Sequence, residues 1–167
     1  AVLAHKGSAA NGILQRMKLA YENLPPWLQQ GIVEWNKGNL ELENGSKVGA
    51  YATSADGLRS GSYDFILLDE FAFVQENIAE EFFTSTYPVI TAGDNTKIVI
   101  VSTPKGMNHF FTMWTKAIKG KSDYIPIEVH WSAVPGRDEK WKEKTIRNTS
   151  AEQFQQEFET EFLGSTS

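Results

Sequence analysis

A run of four large apolar residues that ends in two adjacent carboxylates constrains this chain more than any other feature. Residues 65–68 read Phe-Ile-Leu-Leu, and Asp69 and Glu70 follow at once. A continuous apolar run of this length is typical of a strand that is covered on both faces of a parallel sheet. The two acids would then emerge at the carboxyl end of the strand, where open α/β sheets place their ligands. The run therefore predicts an α/β fold with a functional site at that edge.

The same pattern is typical of a Walker B strand. In nucleoside triphosphatases of this kind the aspartate holds Mg²⁺, and a polar neighbour positions the attacking water. Consecutive side chains on a strand point to opposite faces, so Asp69 and Glu70 can serve different atoms only if the backbone turns as the strand ends. For the run taken alone, a buried strand that is stopped by a solvated acidic turn is the alternative interpretation.

Composition excludes several other classes of protein. The 167 residues contain no cysteine and three scattered histidines, which excludes disulfides and makes a zinc cluster unexpected. No apolar run approaches the roughly 20 residues that cross a bilayer, so no membrane partner is expected. The formal net charge is -5 and the basic residues are not clustered. Any grip on nucleic acid would therefore be local or come from elsewhere, because phosphate neutralisation needs clustered Lys and Arg.

Hydrophobic periodicity and turn residues predict alternating strands and helices. Strands are expected at residues 1–4, 33–36, 39–43, 46–53, 65–69, 97–101 and 124–131, and helices at 9–23, 77–87, 107–119, 138–148 and 150–163. Strands and helices that alternate with long crossovers predict a mostly parallel sheet in three α/β/α layers. The segment 33–53 forms an antiparallel hairpin insertion in this scheme.

Local signals refine these elements. Asn44-Gly45 predicts a two-residue hairpin turn, Ser8 is expected to cap the first helix, and Ser150 with Gln153 predicts a capping box. The last helix is expected to bury an aromatic stripe, because its three phenylalanines lie four residues apart: Phe154, Phe158 and Phe162.

A second motif follows the strand at 97–101, where the chain reads Ser102-Thr103-Pro104-Lys105-Gly106. If this strand lies beside the strand at 65–69, Ser102 and Thr103 converge with Asp69 and Glu70 at one edge, where small hydroxyls could sense a γ-phosphate. An ordinary turn is the alternative, because Ser, Thr, Pro and Gly favour turns in any case.

A phosphate-binding loop is not found among the 167 residues. Gly120-Lys121-Ser122 has the ending of the P-loop pattern, but Thr115 stands where the first glycine belongs. The segment is also expected to end a helix, whereas a P-loop opens one. Gly120 is therefore interpreted as a helix C-terminal glycine.

Five segments, taken in order, carry a family resemblance. They are Ala4-His5-Lys6-Gly7-Ser8, residues 31–38 (Gly-Ile-Val-Glu-Trp-Asn-Lys-Gly), Asn44-Gly45-Ser46, Leu68-Asp69-Glu70 and residues 103–110. At this spacing they resemble the large terminase subunit of T-even-type tailed bacteriophages and their marine relatives. The resemblance covers nearly the whole chain. It implies a P-loop NTPase fold of the additional-strand catalytic glutamate type, in a protein with an N-terminal ATPase domain and a C-terminal nuclease domain of ribonuclease-H type.

The resemblance also implies a domain assignment. Residues 1–164 correspond to part of the ATPase domain, entered just after the P-loop and its helix, and residues 165–167 to the start of the linker towards the nuclease domain. The family's phosphate-binding lysine and arginine finger would lie upstream of Ala1. In this class the strand before the P-loop lies beside the strand at 97–101. We therefore expect exposed strand edges, with the gap filled by a neighbouring chain, by the strand at 124–130 or by a loop.

Residue roles follow from the same resemblance. Asp69 resembles the Walker B aspartate that holds Mg²⁺, and Glu70 resembles the catalytic glutamate that polarises the attacking water. Residues 101–103 match the coupling motif that links hydrolysis to movement. That motif is usually rich in hydroxyls, so Val101 departs from it and Ser102 and Thr103 are the better candidates.

Four other residues lie in matching segments. Arg59 matches an arginine just ahead of the Walker B strand, for which phosphate sensing, a subunit contact and a structural salt bridge are the interpretations. Lys105, Asn108 and His109 belong to a matching segment without an assignable role, and His109 is expected at the start of a helix.

The function implied is that of a DNA-packaging motor. The intact parent would bind ATP and Mg²⁺ and hydrolyse ATP to translocate double-stranded DNA through the portal into the procapsid. Its partners would be the DNA, the portal protein and the small terminase subunit, in the cytoplasm of the infected bacterial host. The 167-residue chain alone is expected to be inactive and able to self-associate through exposed strand edges.

Two alternatives are open, a second enzyme and a protein of another class. One is a superfamily 2 helicase-like ATPase, because Asp-Glu followed by Ser-Thr-Pro also resembles its second and third motifs. The other is a non-catalytic interaction module that contributes only surface and fold.

Overall fold

The computed structural model describes residues 1–54, 58, 61–92 and 95–164, without the side chains of residues 89 and 90. The chain divides into two compact units, Ala1–Val101 and Ser102–Ser167. The first contains β1 (Val2–Ala4), α1 (Gly7–Glu22), β2 (Ile32–Trp35), β3 (Asn39–Leu42), β4 (Lys47–Ala52), β5 (Phe65–Asp69), α2 (Glu76–Glu81), α3 (Tyr87–Ile90) and β6 (Lys97–Val101). The second contains α4 (His109–Ile118), α5 (Glu139–Asn148) and α6 (Ala151–Glu157).

The strands of the first unit form one mixed sheet in the order β2-β3-β4-β1-β5-β6. β4, β1, β5 and β6 pair in parallel with their neighbours, whereas β2, β3 and β4 form an antiparallel meander. The predicted fold class, a mostly parallel α/β sheet with an antiparallel hairpin insertion, is confirmed.

β1 is buried along its whole length, whereas β5 is fully buried on one face only, although the apolar run at 65–68 predicts a strand covered on both faces. On one face α1 packs over β1 and β4, where Val2, Ala4 and Ala10 form a buried cluster and Leu67 packs against it. On the opposite face Leu3, Ile66 and Leu68 are almost completely buried. On this second face β5 is closely packed, whereas on the first face Phe65 is 48% exposed, so the position of the two acids is fixed chiefly by the packing of Ile66 and Leu68.

The hairpin between β3 and β4 is confirmed, but its turn is longer than predicted. The Leu42 amide donates to the Ser46 carbonyl at 2.9 Å, which leaves three loop residues between them. Gly45 adopts the left-handed conformation with φ 84°, and the Asn44 side chain accepts a hydrogen bond from the Ser46 amide at 3.0 Å. A three-residue loop that ends in a left-handed glycine is the next commonest hairpin connection after two-residue turns.

The helices of the first unit match the predicted ones with shifted ends. α1 begins at Gly7, so Ser8 lies inside the helix and does not cap it; Lys6 occupies the cap position without a side-chain bond. The predicted helix at 77–87 is longer, because α2 continues through a π-helical turn at Phe82–Thr86 into α3.

The predicted strand at 124–131 is wrong. Residues 124–130 pair with no strand in the described part of the chain, and a 3₁₀ turn, Trp131–Ala133, follows. The alternating side chains of Ile125, Ile127 and Val129 are 84%, 77% and 61% exposed. Alternating side chains give a strand only when a neighbouring strand pairs with the backbone and another layer covers one face, and no described strand pairs with this segment.

The end of the second unit also differs from the prediction. Ser150 caps α6 by accepting from the Gln153 amide at 3.0 Å, as predicted, but the helix ends at Glu157 and Thr160 has φ 59°. Phe154 and Phe158 pack together with Trp131 and Trp141. Phe162 leaves this stripe, and its ring packs on the rings of Phe110 and Phe111.

No helix among the described residues is long and apolar enough to span a bilayer.

Candidate functional site

The carboxyl ends of three parallel strands meet at one edge of the sheet. Ala4 in β1 pairs with Asp69 in β5, and Asp69 pairs with Val101 in β6. The predicted adjacency of the strands at 65–69 and 97–101 is therefore confirmed. The residues that follow these strands, His5, Glu70 and Ser102, leave the sheet one position beyond this shared register.

The backbone turns sharply between the two acids. Glu70 has φ 52° and ψ 38°, in the left-handed region, and a 3₁₀ turn, Phe71–Phe73, begins directly after it. The Phe73 amide donates to the Glu70 carbonyl at 2.9 Å and closes this turn. A non-glycine residue held in such a conformation costs about 1 to 3 kcal/mol. The turn is the one that Asp69 and Glu70 need in order to serve different atoms.

Glu70 lies against a histidine from the neighbouring strand. Nδ1 of His5 is 2.6 Å from Oε2 of Glu70, with side-chain exposures of 24% for His5 and 48% for Glu70. The contact is close enough for an ion pair when the imidazole is protonated, but its angles do not complete a hydrogen bond. A small rotation of either side chain would align the two atoms for a hydrogen bond. The His5 ring also packs against Phe73, at 6.2 Å between centroids.

Asp69 is the candidate magnesium ligand. It is half-buried at the end of β5, and no ion pair of its carboxylate occurs among the described residues. The described part of the chain also contains no group of three or more His, Cys, Asp or Glu side chains that could hold a metal by themselves. This donor set fits Mg²⁺, which proteins usually hold with one or two carboxylates while water and phosphate oxygens supply the other ligands.

Ser102 and Thr103 begin the second unit directly after Val101. The Ser102 hydroxyl donates to the Thr103 carbonyl at 2.8 Å, and both residues are half-buried ahead of the buried Pro104. The predicted Arg59 lies outside the described residues.

The following segment is mainly structural. Asn108 caps α4 by accepting from the Phe111 amide at 3.3 Å, and His109 is the first helical residue, as expected. Gly120 has φ 64°, and its amide donates to the Ala117 carbonyl at 3.0 Å. This geometry ends α4 with a C-terminal glycine. Gly120-Lys121-Ser122 is thus confirmed as a helix end.

His5 is the site residue that sequence reasoning missed. It stood within a segment quoted only for the family resemblance. Its position directly after a short apolar strand is the signal that could have found it, because Glu70 occupies the same position after β5.

The matches to known proteins agree with this geometry. The family model "Terminase large subunit, T4likevirus-type, N-terminal" matches residues 1–167. The chain belongs to this large terminase family. The match excludes the helicase-like alternative.

Relatives of this terminase chain include large terminase subunits of two phages. The subunit of Escherichia phage T5 is 32% identical over 128 residues, which are 74% of this chain and 28% of the relative. The subunit of Thermus phage G20c is 28% identical over 130 residues, which are 69% of this chain and 26% of the relative. The terminase chain thus spans about a quarter of the length of these relatives.

Experimental structures show the same fold. An arginine-to-alanine mutant of the Thermus phage P74-26 large terminase ATPase domain matches 97% of this terminase chain and 76% of its own, with TM-score 0.65 and 18% identity. The large terminase of another thermophilic bacteriophage, in complex with ADP, matches 97% of this chain and 40% of its own, with TM-score 0.66 and 16% identity. The fold of this terminase chain is that of large terminase ATPase domains.

Proposed function

We propose that this chain is part of the ATPase motor of a phage large terminase that packages double-stranded DNA into a procapsid. The single observation that carries the proposal is the edge at which Asp69 and Glu70 leave β5 beside the ends of β1 and β6. Membership of the large terminase family supports it, as does the fold shared with a large terminase that binds ADP.

In this mechanism Glu70 accepts a proton from the water that attacks the γ-phosphate in line. The left-handed backbone of Glu70 turns the chain directly after Asp69, so the two carboxylates need not follow the alternation of a regular strand. Mg²⁺, when bound beside Asp69, supplies positive charge for the phosphate oxygens. Ser102 and Thr103 would connect the state of the phosphate to the second unit, which begins at Ser102.

The free edge and the exposed face of β6 support the proposal that a further segment of protein packs beside this strand. β6 pairs with β5 and with no other described strand. On the face that α1 covers elsewhere, Phe65, Val99 and Val101 are 48%, 41% and 48% exposed. A strand beside β6 and a helix over these three side chains would bury them. The family resemblance implies that the strand before the P-loop lies beside β6. We therefore propose that an upstream segment of the parent protein supplies this strand and, with its following helix, covers the three side chains.

This proposal corrects part of the expectation about the gap beside β6. Residues 124–130 do not fill it, because they form no strand, and no described loop pairs with the edge of β6. Residues 124–130 form no strand because no described strand pairs with their backbone, and Ile125, Ile127 and Val129 are exposed.

The remaining roles are carried by the resemblance. Arg59 would sense phosphate or contact a neighbouring subunit. Double-stranded DNA, the portal protein and the small terminase subunit would be partners of the intact motor, docked at the portal in the host cytoplasm. With net charge -5, this part is a poor sole grip for DNA, so the DNA contacts would be shared with another domain.

The decisive experiment compares ATP turnover by three proteins: residues 1–167, the same chain extended upstream through its natural phosphate-binding loop, and the extended chain with Glu70→Ala. We expect no appreciable turnover by residues 1–167, because they contain no phosphate-binding loop. We expect Glu70→Ala to lower turnover by the extended chain by about two orders of magnitude or more.

Glu80→Ala is the matched control, since Glu80 is an exposed glutamate on α2 with no proposed part in the chemistry. An extended Glu70→Ala protein that is as fast as its parent would remove Glu70 from the mechanism. An extended parent without turnover would favour the non-catalytic interaction module.

A further inference from the structure

Resting on the proposed function, we infer that His5 is a positioning residue that holds the Glu70 carboxylate in place for its attacking water. The two residues lie far apart in the sequence but equivalently in the sheet. Each is the first residue after a parallel strand, and Ala4 and Asp69, which precede them, pair directly across β1 and β5. Nδ1 of His5 therefore reaches Oε2 of Glu70 at 2.6 Å.

The imidazole is a fixed group rather than a mobile one. The His5 side chain is 24% exposed, and its Nδ1 atom is sealed from solvent, with no hydrogen-bond partner among the described residues. Glu70 Oε2 is the nearby acceptor for a proton on this nitrogen. The ring packs on Phe73, and the Phe73 amide bonds the Glu70 carbonyl. His5 thus touches the turn at 70–73 at both of its ends.

Glu70 needs such a contact because its own side chain is 48% exposed. The left-handed backbone fixes the direction of the Cα–Cβ bond of Glu70, but it does not fix the position of the carboxylate at the end of the side chain. A neutral imidazole with its proton on Nδ1 can donate to Oε2 and leave Oε1 to accept from water. Within this arrangement His5 keeps its proton, and the proton of the attacking water goes to Glu70.

The same contact could instead withhold Glu70 from the water, and the two roles predict opposite results. A positioning contact speeds turnover, so its loss slows the reaction. A withholding contact slows turnover, so its loss speeds the reaction.

The test uses the extended chain and four substitutions, one of which, Glu70→Gln, also serves as a background for His5→Phe. His5→Phe keeps a ring against Phe73 but removes the donor, and His5→Asn restores an N–H donor near the position of Nδ1. Thr53→Val is the matched control: Thr53 is a buried residue directly after β4, and its hydroxyl has no partner among the described residues. The Thr53 amide bonds Ala4 next to His5 at 2.8 Å, so this variant reports general disturbance of the edge.

We expect His5→Phe to lower kcat about ten- to a hundredfold, by analogy with the loss seen when a group that orients a metal ligand is removed, with little change in KM for ATP. His5→Asn should recover most of the loss, and Thr53→Val should match the parent. On a Glu70→Gln background, His5→Phe should cause almost no further loss, because it acts through Glu70.

Each of these results for His5→Phe overturns the inference: a rise in kcat, no change in kcat, or the same fold-loss in chains with Glu70 and with Glu70→Gln. A parent-like rate for Glu70→Gln alone overturns the proposed function and this inference with it. A large loss for Glu70→Gln beside a parent-like His5→Phe overturns the inference and leaves the proposed function intact.

A second readout is independent of turnover. Long-range ¹H–¹⁵N NMR spectra of residues 1–167 should show the His5 proton on Nδ1, and Glu70→Ala should shift the population towards the Nε2 tautomer. Predominance of the Nε2 tautomer in the parent contradicts the inference.

Discussion

The two outer strands of the described sheet, β2 and β6, differ in length, regularity and charge. β2 is four residues long, its register with β3 shifts between Ile32 and Glu34, and it carries a charge at Glu34. β6 keeps an unbroken five-residue register with β5, and after Lys97 it contains only Ile and Val. Bulges and charges are devices by which proteins protect sheet edges. β2 therefore has the features of an edge, and β6 has those of an interior strand.

Substitutions in the core should separate the two sides of the sheet most strongly. Leu68 in β5 is 1% exposed, whereas Val33 in β2 is 61% exposed. We expect Leu68→Ala to lower the free energy of unfolding by about 2 to 5 kcal/mol, and Val33→Ala by no more than about 0.5 kcal/mol. Urea titrations of residues 1–167 measure both. Equal losses would mean that β2 is as much a part of the core as β5.

The attachment of the β2 side to α1 provides the next test. Lys18 in α1 is 2% exposed, and its Nζ atom donates to the Asn36 carbonyl in the turn after β2 and lies 5.0 Å from the centre of the Trp35 ring. We expect Lys18→Ala to cost about 2 kcal/mol, since each buried methylene of the stem contributes about 0.8 kcal/mol.

Lys37→Ala is the control for this change, because Lys37 is an exposed lysine in the same turn. Thermal unfolding of both variants measures the difference. A Lys18→Ala protein as stable as the Lys37→Ala protein would show that the contacts of Lys18 with Trp35 and Asn36 do not stabilise the packing of β2 against α1.

Self-association tests the contrast between the outer strands directly. We expect residues 1–167 to associate through β6, and Val99→Lys to weaken that association about tenfold, equivalent to about 1.4 kcal/mol. Val33→Lys places the same charge on an exposed valine of β2 and should leave association unchanged. Sedimentation velocity over a range of concentrations measures both. A larger effect of Val33→Lys would show that the chain self-associates through β2 and not through β6.

The hairpin turn provides the smallest test. Gly45 has φ 84°, and an added Cβ there would meet no atom within 4 Å, so a substitution reports backbone strain alone. We expect Gly45→Ala to cost about 1 kcal/mol. Gly12→Ala, in the interior of α1 and equally open, should instead stabilise the chain by about 0.5 to 1 kcal/mol. Opposite signs in chemical denaturation confirm the turn, and matching signs contradict it.

The sequence predicted the central elements because their signals are local and agree with one another. The apolar runs of β5 and β6, the turn residues around Gly45 and the Ser150 cap each specify structure within a few residues. Where the outcome depended on distant neighbours, prediction failed. The alternating segment at 124–130 has no described strand beside it. α6 ends at Glu157, and the Phe162 ring packs on Phe110 and Phe111 instead of extending the aromatic stripe.

The candidate site divides in the same way. Asp69 and Glu70 could be named because they follow their own strand at once, and the register with Val101 confirmed their position at the edge. The contact of His5 with Glu70 could not be named, because it arises from the pairing of β1 with β5. No local pattern in Ala4-His5-Lys6 specifies that pairing.

The left-handed backbone of Glu70 has a consequence for how this position can vary. Glycine adopts φ 52° without a steric penalty, whereas glutamate pays a steric cost for the same conformation. A Glu70→Gly chain should therefore resist heat better than its parent while lacking the carboxylate. Selection for thermal stability would enrich this inactive variant, and selection for ATPase activity would remove it. The opposed responses would show that the residue is retained for chemistry at the expense of stability.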